Sequence, residues 1–99
     1  RCIATLKGHR RWVRHVAYAP GGDRVATASD DRTAKVWAFA AAPSATWRCV
    51  ATLKGHTNSV NGVAWRPDGE LLATASWDTT VKLWELPAGG AGGALCVAT

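Results

Sequence analysis

Ninety-nine residues leave room for one small domain with a modest core and a narrow stability margin, so any function has to sit on its surface. Apolar residues make up 47% of the chain, but no run approaches the roughly 20 needed to cross a bilayer as a helix, which excludes such a span. Twelve Lys and Arg against seven Asp and Glu give a net charge of +5, which favours acidic partners; without a zinc-finger spacing, a basic helix or an aromatic-basic motif, direct nucleic-acid binding is not expected.

The chain opens on "RCIATLKGH", without Met and without a charged-then-apolar leader; this shows no signal peptide and points to an excerpt of something longer. "VRHVAYAP" alternates apolar residues and stops at Pro20, which cannot donate to a strand ladder. The turn "GGD" leads into "RVATAS", and "DDRT" leads into "AKVWAF". "AAAPSA" at 40–45 reads as a flexible loop, followed by a fourth strand, "WRCVATL", at 47–53. The same order then returns: "VNGVAWRP" ending at Pro67, "DGE", "LLATAS", "WDTT", "VKLWEL" and a second small-residue loop, "PAGGAGGA", at 87–94. No segment shows a helical period over ten residues. The pattern predicts an all-β chain with four short antiparallel strands per unit.

The recurrence is a repeat. Residues 2–38 align with 49–85 without a gap, 20 of 37 positions are identical, and "LCVAT" at 95–99 starts a third copy. This divides the chain into 1–46, 47–94 and 95–99. Cys2, Cys49 and Cys96 fall at the 47-residue period, so they occupy equivalent sites in successive units and do not converge; no CxxC pair is present, and no metal site or cofactor is expected. They read as buried thiols in a reducing compartment, which suits a soluble chain working in the cytoplasm, with the nucleus also open.

Each unit has a Gly-His pair, a strand ending in Pro, a strand carrying hydroxyls, an Asp turn and a strand ending in Trp. Gly8-His9 through Trp37, and Gly55-His56 through Trp84, resemble the WD40 repeat; the final Asp of its "WD" pair is replaced by Ala38 and Glu85. The resemblance implies a partial β-propeller of two four-stranded antiparallel blades. Residues 48–53 would close the first blade, 95–99 would begin to close the second, and 2–6 would be an orphan outer strand. Propellers typically have four to eight blades, so either further blades or a ring-forming homo-oligomer is implied. The resemblance also implies a hydrogen-bonded chain in each blade: His9, Thr27, Asp31 and Trp37, then His56, Thr74, Asp78 and Trp84. Ser29 and Ser76 point to the same strand face as the threonines and remain open as the hydroxyl. A carboxylate beside an imidazole can serve acid–base catalysis, but no nucleophile, phosphate loop or metal cluster accompanies these pairs, and no catalytic residue is assigned.

Positions where the copies agree are explained by the fold, so function is sought where they disagree. They differ most at 10–15 against 57–62, and at 30 against 77. In the WD40 family the residues three and five after the His, and the one before the turn Asp, line the partner-binding face; here the resemblance makes them Trp12, Arg14 and Asp30 on one blade and Ser59, Asn61 and Trp77 on the next. Trp and Arg are the residue types that dominate interface energies. His15, matched by Gly62, stays unassigned. The early charge cluster of Arg10, Arg11, Arg14, Arg24 and Arg32 suits an acidic protein surface. The phrase "C-V/I-A-T-L-x-G-H", Trp47-x-Cys49 and Val13-Arg14-His15-Val16-Ala17 are also similar to the cytosolic iron-sulfur assembly WD40 proteins, which implies a docking subunit for cluster delivery to apoproteins. The alternative is a generic adaptor in a ubiquitin-ligase, signalling or cytoskeletal complex, or a self-assembling propeller fragment.

Overall fold

The computed structural model describes residues 2, 4–40, 46–86 and 95–99. The loops read over 40–45 and 87–94 therefore lie, Ala40 apart, outside the described residues. Eight strands are formed: β1 (Val13–Tyr18), β2 (Arg24–Ser29), β3 (Ala34–Ala40), β4 (Thr46–Leu53), β5 (Val60–Trp65), β6 (Leu71–Ser76), β7 (Val81–Glu85) and β8 (Leu95–Ala98). They make two four-stranded antiparallel sheets in simple order, β1-β2-β3-β4 and β5-β6-β7-β8. Among the described residues no helix is long and apolar enough to cross a membrane.

Local chemistry sets the strand ends. Beyond β1, Ala19 N–H donates to Arg24 O and Gly22 N–H to Ala19 O, both at 2.9 Å, closing the turn around Pro20, which has no N–H to give. Beyond β2, the Asp31 carboxylate accepts the Thr33 backbone N–H at 2.9 Å, and Asp78 accepts that of Thr80 at the same distance. The segment read as an orphan outer strand, 2–6, makes no ladder among its described residues.

The core lies between the two blades. Ala26, Ala28, Ala34, Val36 and Leu53 of the first meet Val60, Val63, Leu72, Trp84 and Leu86 of the second. The short side chains of β2 let β5 seat closely, and three polar contacts fix the docking. Val63 N–H donates to His15 Nδ1 at 3.1 Å, Trp65 Nε1–H donates to Ala17 O at 3.0 Å, and Arg24 donates to Gly69 O at 2.7 Å while its guanidinium lies 4.9 Å from the Trp65 ring centroid. Gly69 sits at φ 75°, a conformation open to glycine, and so presents that carbonyl. The outer faces stay open: Val13, Val16 and Tyr18 on the first blade, and Val81, Leu83 and Val97 on the second, are all exposed.

The two leucines Leu72 and Leu83 separate the covered face from the open one, being 0% and 36% exposed. Leu72→Ala should cost about 2 to 5 kcal/mol in urea unfolding, and Leu83→Ala, on a dilute sample, clearly less; equal losses would contradict this packing.

Candidate partner-docking surface

Beneath the surface loops each blade holds a buried polar chain. Trp37 Nε1–H donates to Thr27 Oγ1 at 3.0 Å, Thr27 Oγ1 lies 2.6 Å from His9 Nε2, and His9 Nδ1 lies 2.8 Å from Asp31 Oδ2. The second blade repeats it: Trp84 to Thr74 at 2.8 Å, Thr74 to His56 at 2.7 Å and His56 to Asp78 at 2.8 Å. An indole nitrogen only donates, so each threonine hydroxyl accepts from the tryptophan and gives its own proton to histidine Nε2; Nδ1 then carries the ring proton and donates to the aspartate. Ser29 and Ser76 take a different part, donating to Arg11 O at 3.3 Å and Ser59 O at 2.8 Å. Gly8 packs closely beside this chain, since a Cβ there would lie 3.0 Å from the Trp37 ring, which would have to shift by a few tenths of an ångström.

The aspartates carry the order outward to the surface. Burial favours the neutral acid of Asp31, but hydrogen bonds from Thr33, His9 and the Arg10 backbone N–H outweigh it and hold the carboxyl well below the usual range. Asp78 is held there chiefly by the Thr80 hydroxyl, with His56 and backbone N–H groups of Thr80 and Thr57 adding to it against the effect of burial. Asp30 N–H donates to Trp12 O at 2.9 Å and Trp77 N–H to Ser59 O at 3.0 Å, so the loops before β1 and β5 are tied to the turns after β2 and β6.

These tied loops display the variable residues. A β-bulge in each first strand leaves Arg14 and Asn61 without a cross-strand partner, turning those side chains away from the regular alternation. Arg14 makes a two-pronged ion pair with Asp30, Nε to Oδ1 at 2.9 Å and Nη2 to Oδ2 at 2.7 Å, and its guanidinium lies 5.1 Å from the centroid of Trp12. The fork of hydrogen bonds lowers the Asp30 pKa and raises that of Arg14. Trp12 is 74% exposed and Trp77 64%. With the Asn61 amide oriented to satisfy both neighbours, it donates to Ala75 O and accepts from Trp77 Nε1, each at 2.8 Å.

Trp12, Arg14, Asp30 and Ser59 line one groove of about 600 Å³, together with Arg10, Arg11, Arg32 and Asn58. Asn61 and Trp77 do not line it and form their own pair on the second blade. A second groove of about 550 Å³ shares Arg10 and Arg32 and adds Lys35 and Lys54. Both nearby carboxylates, Asp30 and Asp31, are already occupied, whereas the side chains of Arg10, Arg11, Arg32 and Lys54 make no hydrogen bond or ion pair among the described residues. Arg10, Arg11, Arg32 and Asn58 were absent from the partner-binding residues singled out by sequence, although the three arginines belong to the noted arginine cluster. Arg24 of that cluster sits elsewhere, between the blades.

The cysteine reading needs correction: Cys2, Cys49 and Cys96 are free but exposed, not buried. Cys49 and Cys96 stand on the outer strands β4 and β8, which no further strand covers on their far side. Among the described residues no three His, Cys, Asp or Glu side chains converge on a metal position.

Paired antiparallel four-stranded blades, each braced by the same His-Thr-Trp-Asp chain, define a repeat protein of the β-propeller class. The chain belongs to the WD40 family: residues 1–38 and 47–85 match the model of the WD domain, G-beta repeat. Repeats of this family serve as protein-interaction scaffolds, in general without catalysis. Similar proteins include nuclear distribution protein nudF 2 of Penicillium rubens, 51% identical over 37 residues, and nuclear distribution protein PAC1-2 of Uncinocarpus reesii, 49% identical over 37 residues; each match covers 37% of this chain and 8% of the relative. Nuclear distribution protein PAC1 of Arthroderma benhamiae is 47% identical over 36 residues, covering 36% of this chain and 8% of its own. These relatives lend no support to the iron-sulfur assembly resemblance.

Because the native pKa values of Asp31 and Asp78 lie below the unfolded value of about 3.9, their contribution to stability is complete above that pH and is lost as pH falls toward the native values. Asp78→Asn should be less stable than the wild type at pH 7 and should lose less further stability between about pH 4 and about pH 2. Parallel acid-unfolding curves for the two proteins would contradict the assignment.

Proposed function

We propose that this chain is a non-catalytic docking module that takes acidic protein segments along the groove bounded by Trp12 and the Arg14–Asp30 pair. The observation that carries this reading is the groove's unbalanced charge: Arg10, Arg11 and Arg32 line it, and its one lining carboxylate is already held by Arg14. An acidic side chain entering there would meet guanidinium groups able to bind it in two-pronged fashion. Trp12 beside them offers a rigid apolar anchor at low entropic cost. Trp77, held by Asn61, offers a second contact on the adjacent blade.

The chain would act within two repeats, 1–46 and 47–94, with 95–99 beginning a third, as an adaptor in a cytoplasmic multiprotein complex. The nuclear distribution relatives share only a short stretch with it, and iron-sulfur delivery has no support from them.

Binding of a synthetic Glu-rich peptide, followed by tryptophan fluorescence, tests the reading. Trp12→Ala and Arg14→Glu should each weaken binding by about tenfold or more, and raising salt from about 50 to about 300 mM should weaken it further. Affinity indifferent to both substitutions and to salt would remove the groove as the docking site.

A further inference from the structure

The groove of about 550 Å³ carries a charge imbalance of its own: Arg10, Arg32, Lys35 and Lys54 line it against the single carboxylate of Asp31. That carboxylate has no acceptor site left for a cation. Its Oδ2 accepts from His9 Nδ1 at 2.8 Å and from the Arg10 backbone N–H at 3.1 Å, and its Oδ1 accepts both the backbone N–H and the hydroxyl of Thr33. Lys35 Nζ donates to Thr52 Oγ1 at 2.9 Å, a neutral partner that holds the ammonium at the groove wall without cancelling its charge. Arg10, Arg32 and Lys54 are exposed, and their side chains make no hydrogen bond or ion pair among the described residues. The lining runs from Gly8 to His56 and includes neither end of the chain.

The frame does not require these cations. The second blade repeats the lysine–threonine bond, Lys82 Nζ to Thr99 Oγ1 at 3.1 Å, and the same turn from Asp78 to Thr80. Where the first blade has Arg10 and Arg32, however, the second has Thr57 and Thr79. Arg32 and Thr79 share a left-handed backbone, at φ 73° and 74°, so the two turns differ in charge and not in path.

We propose that this groove receives a phosphorylated side chain, phosphoserine or phosphothreonine, of the docked segment. The inference rests on the docking reading above and adds the chemistry of the ligand. A carboxylate carries one charge on two oxygens, whereas a phosphomonoester carries about −1.5 to −2 at neutral pH on three acceptor oxygens. The larger charge and the extra acceptors suit two guanidinium forks and two ammonium groups lining one groove. Arg10 and Arg32 line both grooves, so a segment held beside Trp12 has only to cross them to bring its phosphoryl group to Lys35 and Lys54.

Calorimetric titration of the 99-residue chain with two synthetic Glu-rich peptides, identical except for serine or phosphoserine at one central position, tests this. The phosphopeptide should bind about tenfold tighter or more. Lys35→Gln with Lys54→Gln leaves the lining of the first groove untouched; it should remove that gain and keep the serine peptide close to its wild-type affinity. Arg10→Thr with Arg32→Thr gives the first blade the residues the second already carries, and should weaken both peptides and abolish the gain. Trp12→Ala should weaken both peptides by a common factor and leave the gain standing. If Trp12→Ala changes nothing while the lysine pair removes the gain, the first groove falls as an anchor and the phosphoryl site stands. Equal affinity for the two peptides, a gain that survives the lysine pair, or inorganic phosphate competing with the affinity of the phosphopeptide itself, the mark of a free-anion site, would overturn the proposal. Binding of neither peptide would remove the docking reading and this inference together.

Discussion

A buried threonine hydroxyl is the point on which each blade turns. Thr74 is wholly shielded from water, and its one oxygen accepts the indole proton of Trp84 while its own proton goes to His56. Every polar atom in that chain is expensive to bury alone and inexpensive in company. Consistent with this, no buried side-chain nitrogen or oxygen among the described residues lacks a partner. The chain ends on Asp78, and the same carboxylate that closes it receives the Thr57 and Thr80 backbone N–H groups. A buried network thereby reaches the surface and orders the loops that carry the variable residues.

The division between shared and unshared positions follows from this arrangement. Residues of the polar chain are identical in both copies because each performs the same bonding task, and the loops they hold are released to vary. On the first blade the variation gives Trp12, Arg14 and Asp30, a stacked and paired trio beside unpaired arginines. On the second it gives Ser59, Asn61 and Trp77, uncharged and partly self-satisfied. The two blades therefore differ in charge while agreeing in frame, and the basic character of the chain is concentrated where the groove lies.

The strand order and the Asp turns were legible because alternation and turn chemistry act over a few residues. The identity of the hydroxyl was not: Thr27 and Ser29 lie two apart on one strand and share a face, so parity could not choose between them. The bulges at Arg14 and Asn61 leave no mark in composition, since they arise from pairing with a strand some 15 residues later. The contacts between blades were hidden for a like reason, as His15, Arg24 and Trp65 meet partners in the other repeat. The cysteines misled because small apolar-like thiols in a strand suggest burial, whereas the outer strand of a blade faces water on its far side.

Hydrogen exchange of the six tryptophan indole N–H groups, followed by NMR, tests the central claim that the polar chains order each blade from within. Trp37 and Trp84, whose Nε1–H groups are buried on threonine oxygens, should exchange far more slowly than Trp12, which stands in solvent. Exchange of Trp37 and Trp84 at the rate of Trp12 would mean that the chains do not form in solution, and the account of the docking surface built upon them would fall with them.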